Sequence, residues 1–191
     1  MAGVQREVEI KFRMADAAAV RRKLAVAGAN FEGAFREENY FCDDAKGRLR
    51  AAGRVLRLRR STGTSAGQEG LVDRRLTYKE PLSDPQFKVR NEIDVPVGDL
   101  DGMRLVLERL GFRCRHGYDK EREIWRLDAV MVTLDTLAFG QFVELEGAPE
   151  AIAAVAARLG FDLAQGIIKS YLTLAAEAAT KAAKKGGIDR R

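Results

Sequence analysis

The sequence predicts an α+β fold in which a closed antiparallel sheet turns a charged face inward and helices cover its outside. Charged and apolar residues alternate along many segments with the two-residue period of a strand. Both signs of charge recur at neighbouring positions of those segments. Between them lie stretches with helical apolar spacing, three of which end at a glycine. A single strand of this kind reads as a wet surface. Several, with both signs side by side, are better explained as the interior of a closed sheet that binds something highly charged.

The elements follow in order. Glu7, Glu9 and Lys11 share one face of the first strand, opposite Val8, Ile10 and Phe12. Asp16 is positioned to cap a helix through Ala17 to Ala27, and Gly28 ends it. Further strands are expected over Glu38 to Cys42, Arg54 to Arg60, Arg74 to Lys79, Lys88 to Val97, Asp119 to Leu127, Val130 to Thr136 and Phe142 to Glu146. Helices are expected around Met103 to Leu110 and from Glu150 to Leu159, before Gly111 and Gly160. Ser61 to Gly70 and Glu80 to Gln86 read as hairpin loops. A final Ala-rich helix, roughly Ile167 to Lys184, presents Ile168, Tyr171, Leu172 and Ala175 and is expected to pack on the barrel wall.

Composition narrows the function. The 191 residues fit one domain, expected over 1–178, with a basic, disordered tail over 179–191. Charged residues make up 32% of the chain against about 25% in an average globular protein, so the excess needs a place. The net charge of +5 suits an anionic partner, but Lys181, Lys184, Lys185, Arg190 and Arg191 of the tail supply much of it. The body is close to neutral, and its basic residues alternate with carboxylates instead of forming a stripe, which argues against nucleic acid. Cys42 and Cys114 show no metal-ligand spacing and are expected to be free thiols. Met1 to Arg6 lacks an apolar leader segment, and no run of about 18 apolar residues occurs. A cytoplasmic protein without a membrane partner is expected.

Alternation assigns fifteen charged positions to the interior: Glu7, Glu9, Lys11, Arg57, Arg59, Lys79, Lys88, Arg90, Glu92, Asp94, Lys120, Arg122, Asp135, Glu144 and Glu146. Unpaired burial would cost several kcal/mol for each of them. The cavity is therefore wet, and its charges compensate one another or meet a ligand. Carboxylates without His or Cys partners suit Mg²⁺ or Mn²⁺ in place of zinc. Arginine and lysine suit phosphate. Of the remaining candidates, Tyr40 and Phe41 could shape the tunnel mouth, although aromatics at such spacing are commonly core. His116 reads as an incidental loop residue and Trp125 as wall packing.

These residues carry a resemblance to a known family. Glu7-Val8-Glu9-Ile10-Lys11 resembles the ExExK signature of the CYTH superfamily, the triphosphate tunnel metalloenzymes. In the same order as in that family follow Leu56-Arg57-Leu58-Arg59, Thr77-Tyr78-Lys79-Glu80-Pro81, Arg90-Asn91-Glu92, Tyr118-Asp119-Lys120-Glu121-Arg122, Leu134-Asp135, Phe142-Val143-Glu144-Leu145-Glu146 and Ser170-Tyr171. Each motif is weak alone; their order is what makes the match specific. The resemblance covers roughly residues 4 to 175 and implies an eight-stranded antiparallel tunnel. It implies Glu7, Glu9, Glu144 and Glu146 as ligands of Mg²⁺ or Mn²⁺, with Glu92 and Asp135 as further carboxylates. Lys11, Arg57, Arg59, Lys79, Arg90, Lys120 and Arg122 would hold the phosphates of a small-molecule triphosphate. Lys88 and Asp94 rest on alternation alone.

The family includes triphosphatases and class IV adenylyl cyclases, which share the tunnel. Val4 to Arg6 shows no His-Phe-like element of the kind class IV cyclases often carry ahead of ExExK, whereas the Tyr118 to Arg122 strand and Ser170-Tyr171 resemble chains labelled as cyclases. Hydrolysis of tripolyphosphate, thiamine triphosphate or another organic triphosphate is the favoured expectation, because cyclisation also demands a base and a ribose pocket. Cyclisation of ATP is the alternative, and a polyphosphate-binding protein without turnover is third. A homodimer is compatible with this reading.

Overall fold

The structure, a computed structural model, describes residues 3–186. Eight strands close into one barrel in the order β1-β5-β4-β3-β2-β6-β7-β8, and every neighbouring pair is antiparallel. They are β1 (Gln5–Arg13), β2 (Asn30–Asp44), β3 (Val55–Gly63), β4 (Val72–Leu82), β5 (Lys88–Pro96), β6 (Phe112–Leu127), β7 (Val130–Leu137) and β8 (Gly140–Glu146). Closure gives the inward positions a common interior.

Five helices accompany the barrel: α1 (Ala17–Val26), α2 (Arg48–Ala51), α3 (Leu100–Arg109), α4 (Pro149–Leu159) and α5 (Tyr171–Gly186). Asp16 caps α1 by accepting the Ala19 N–H at 3.1 Å, and Gly160 ends α4 in the left-handed conformation, as such a C-terminus favours. Leu24 of α1 and Ile152, Val155 and Leu159 of α4 bury against the outer faces of β1, β7 and β8, where Ile10, Val130, Val132, Val143 and Leu145 are almost fully enclosed. Leu100 and Leu107 of α3 pack with Leu58 and Cys42 in a second cluster.

Two expectations change. First, β2 and β6 are much longer than the alternation suggested, and their register places Cys42 directly opposite Cys114. The two form a disulfide, not free thiols. A separation of 72 residues hides such a pair until the strands are aligned. Second, α5 does not lie on the barrel wall. Ile167 pairs with Lys11 through both backbone hydrogen bonds, which steers the first turn of α5 into the end of the barrel, where Tyr171 packs with Leu137 and Phe142. The last helix, expected to about Lys184, runs to Gly186 as α5; residues 187–191 of the expected tail lie outside the described residues. Among the described residues no helix is long and apolar enough to cross a membrane.

Candidate active site in the tunnel

The barrel encloses a cavity of about 270 Å³ lined from every strand. Fourteen of the fifteen positions assigned inward by alternation line it; the exception, Asp135, is fully buried beneath Arg122, its direct partner on the same inner face. Lys88 and Asp94, which only the alternation supported, are among the lining residues. Nine cationic and six acidic side chains face the space, so an anion is favoured there.

The carboxylates divide into two groups. Glu9 and Glu146 are direct partners across the β1–β8 seam, and Glu7 lies two positions away on the same face of β1. The three bring one carboxylate oxygen each within 4.8 Å of one another. Burial and the neighbouring Glu9 raise the pKa of Glu7. Burial, with Glu7, Glu144 and Glu9 nearby, pushes Glu146 up to about 7. Glu9 behaves differently: burial opposes its charge, but Lys11, Lys88 and Lys79 outweigh it and hold the carboxyl well below its usual range. One oxygen of this cluster, Glu7 Oε2, is buried without a hydrogen-bond partner. An oxygen-only donor set with mutual repulsion and an orphaned ligand atom fits a hard divalent cation such as Mg²⁺ or Mn²⁺.

The other acids hold the cations. Glu144 lies 2.8 Å from Lys11 Nζ and 3.1 Å from Arg122 Nη2. Asp135 receives Arg122 bidentately at 2.6 and 2.5 Å, Lys120 at 3.3 Å and the Tyr171 hydroxyl at 2.8 Å. Glu92 shares Lys79 with Glu7. These three, which the resemblance implies as metal ligands, form ion pairs with the tunnel cations Lys11, Lys79, Lys120 and Arg122. Replacing a whole buried ion pair by apolar residues costs little, whereas removing one partner leaves the other's charge uncompensated and is strongly destabilising.

Three arginines are left with spare donors. Among the described residues, Arg57 reaches only Thr77 Oγ1, at 3.4 Å, and Arg90 only the Gly53 carbonyl, at 3.2 Å. Arg59 meets Glu37 at 3.7 Å, and the Nε atoms of Arg57 and Arg59 are buried without partners. Unpaired guanidinium groups facing a cavity are receptors for an oxyanion.

The sequence reading missed Glu37 and Tyr118. Glu37, on β2, is 3% exposed and pairs with Lys120 at 3.3 Å as well as with Arg59. Burial opposes its charge, but Lys120, Arg122, Arg59 and Arg57 hold its carboxyl far below the usual range. Tyr118 lines the cavity beside Phe41 and Tyr171, and the Tyr171 ring lies about 5 Å from both Lys11 and Lys120. Phe41 does face the tunnel, whereas Tyr40 packs with the outer cluster. His116 pairs with Asp119 on the surface, and Trp125 packs against Phe31.

Residues 5–182 match the CYTH domain family. The chain is 32% identical, over 73% of its own length and 75% of the relative's, to the Methanocaldococcus jannaschii protein named "Putative adenylate cyclase MJ0240". The PH1819 protein of Pyrococcus horikoshii has a similar structure, with a TM-score of 0.75 and 27% identity over 90% of this chain and 98% of that one. The Hippeastrum protein HpAC1, described as a putative adenylyl cyclase with a dominant triphosphatase activity, shares the fold at a TM-score of 0.60, with 19% identity over 81% of this chain and 88% of its own.

Proposed function

Since this chain belongs to the CYTH domain family, we propose that it is a divalent-metal-dependent enzyme that hydrolyses inorganic tripolyphosphate or an organic triphosphate inside its tunnel. The observation that carries this reading is the carboxylate triad Glu7, Glu9 and Glu146 in a cavity where Arg57 and Arg90 have no carboxylate partner among the described residues. The triad would hold Mg²⁺ or Mn²⁺, which when bound would neutralise phosphoryl charge and orient an attacking water. Lys11, Arg57, Arg59, Lys79, Arg90, Lys120 and Arg122 would grip the phosphates. Arg57 and Arg90 have donors to spare, so they can form charge-assisted bonds to phosphoryl oxygens without first breaking an ion pair.

Glu144, Asp135 and Glu37 orient Lys11, Arg122 and Lys120, so that charge developing on the phosphoryl oxygens meets donors already in place. Tyr171 is tied to Asp135, and with Leu172 and Ser170 it closes part of the cavity wall.

The name carried by the 32%-identical relative favours a second reading, cyclisation of ATP with release of pyrophosphate. The protein incubated with Mg²⁺ or Mn²⁺ and tripolyphosphate, thiamine triphosphate or ATP should release orthophosphate. Cyclic AMP with stoichiometric pyrophosphate would instead identify a cyclase.

A further inference from the structure

The cationic face of the tunnel continues beyond the barrel. β7 pairs with β6 only from Glu121 onward, so residues 112–120 of β6 have β2 alone beside them. There the register sets Arg115 opposite Phe41 and Arg113 opposite Asp43. Directly opposed residues share a face, and Phe41 lines the tunnel, so both arginines prolong the tunnel's own inner face. A bulge makes this possible. Between Asn39↔Tyr118 and Tyr40↔His116 the register skips Gly117; without that extra residue His116 and Cys114 would point inward instead. Glycine is required at the bulge by close approach, because a Cβ at Gly117 would lie 2.4 Å from the Phe41 ring.

Arg113 and Arg115 wall a second cavity of about 810 Å³ that shares Phe41, Val55, Arg90, Ser170 and Leu172 with the tunnel. Lys46 and Arg50 face it from the α2 segment. Its acids are already engaged. Asp43 accepts the backbone N–H groups of Asp44, Leu49 and Arg50, and Asp44 accepts those of Lys46 and Arg48 together with the Arg48 guanidinium. Among the described residues, none of Lys46, Arg50, Arg113 and Arg115 takes part in a salt bridge, whereas the adjacent Arg48 and Arg54 do.

We infer that this vestibule holds further phosphates of a linear polyphosphate longer than three units, whose terminal phosphates occupy the tunnel. The inference rests on the triphosphatase reading above. A neutral ring in the vestibule would offer these exposed cations cation–π contacts at most and leave their charge uncompensated. A phosphate chain offers each of them an oxyanion and stays in line with Arg57 and Arg90.

The test compares tripolyphosphate with a size-fractionated linear polyphosphate several times longer, using the full chain and its Arg113→Gln/Arg115→Gln and Arg113→Lys/Arg115→Lys variants. Binding is measured by calorimetry in EDTA, and turnover with Mg²⁺. Wild type should bind the longer chain more tightly than tripolyphosphate. The Gln pair should lose about tenfold or more in affinity for the long chain and show a shallower salt dependence, with unchanged KM and kcat for tripolyphosphate. The Lys pair should recover most of the loss. Equal binding of the long chain by wild type and the Gln pair, or an equal loss on both ligands, would overturn the inference. Absence of tripolyphosphate turnover would contradict the triphosphatase reading separately, and the binding comparison in EDTA reads out regardless.

Discussion

Lys11 Nζ lies 2.8 Å from Glu144 Oε2, with both side chains almost fully buried, and the two residues are direct partners across the seam where β1 meets β8. The same ammonium lies 2.5 Å from Glu9. One cation therefore fastens the first strand to the last and also holds a triad carboxylate in its ionised form. Replacing Lys11 by Met keeps the volume but leaves Glu144 with Arg122 and Glu9 with Lys88 as their remaining close partners. Loss of about 3 kcal/mol of stability is expected. It would be seen as a lower urea midpoint with an unchanged slope, and an unshifted midpoint would show that the pair contributes nothing to closure.

Metal-free protein should have two opposed pH windows. Glu146 is pushed up to about 7 from its ordinary 4.5, so between those values the folded state keeps a proton that the unfolded state has released. Stability linked to this group is full below pH 4.5 and falls as pH rises towards 7. Lys88 is depressed to about 8 from 10.5, chiefly by burial, so there the unfolded state binds more protons and stability rises from about pH 8 upward. Melting temperatures in EDTA should pass through a minimum between the windows, and Glu146→Gln should flatten the lower one. Saturating Mg²⁺ should reverse the lower slope, because only the deprotonated triad binds a cation. A lower slope that survives Glu146→Gln unchanged would assign it to another group.

The Cys42–Cys114 bond closes a 72-residue separation, and its removal should cost about 2–4 kcal/mol. Denatured, unreduced protein should show no thiol reactive towards Ellman's reagent and two after reduction. Reductant should lower the melting temperature of wild type but not of Cys42→Ala/Cys114→Ala. Two reactive thiols before reduction would contradict the assignment.

What could be read from sequence depended on contrast between strand faces. Where one face is apolar, as at Val8, Ile10 and Phe12 or at Val143 and Leu145, the period was plain, and the charged residues opposite were assigned inward correctly. Along β2 the contrast vanishes, because the outer residues Arg36 and Glu38 also carry charge, paired with Asp119 and Arg60. Glu37 therefore stayed unnoticed between them. On β6 the bulge at Gly117 breaks the phase, which concealed Arg113 and Arg115. The division of the carboxylates into a triad and a set of cation anchors depends on which side chain meets which across strands. Register decides that, and neither Glu92 nor Asp135 signals its partner locally.

The most direct test of the tunnel account is orthophosphate release from tripolyphosphate as a function of Mg²⁺, measured for wild type and Glu9→Gln at matched folded fractions. Wild type should show saturable metal dependence. Glu9→Gln should fall by about a hundredfold or more, in the range seen when a principal electrostatic group is removed from an active site. Turnover without divalent metal, or full activity in Glu9→Gln, would contradict the assignment of Glu7, Glu9 and Glu146 as the metal-holding triad.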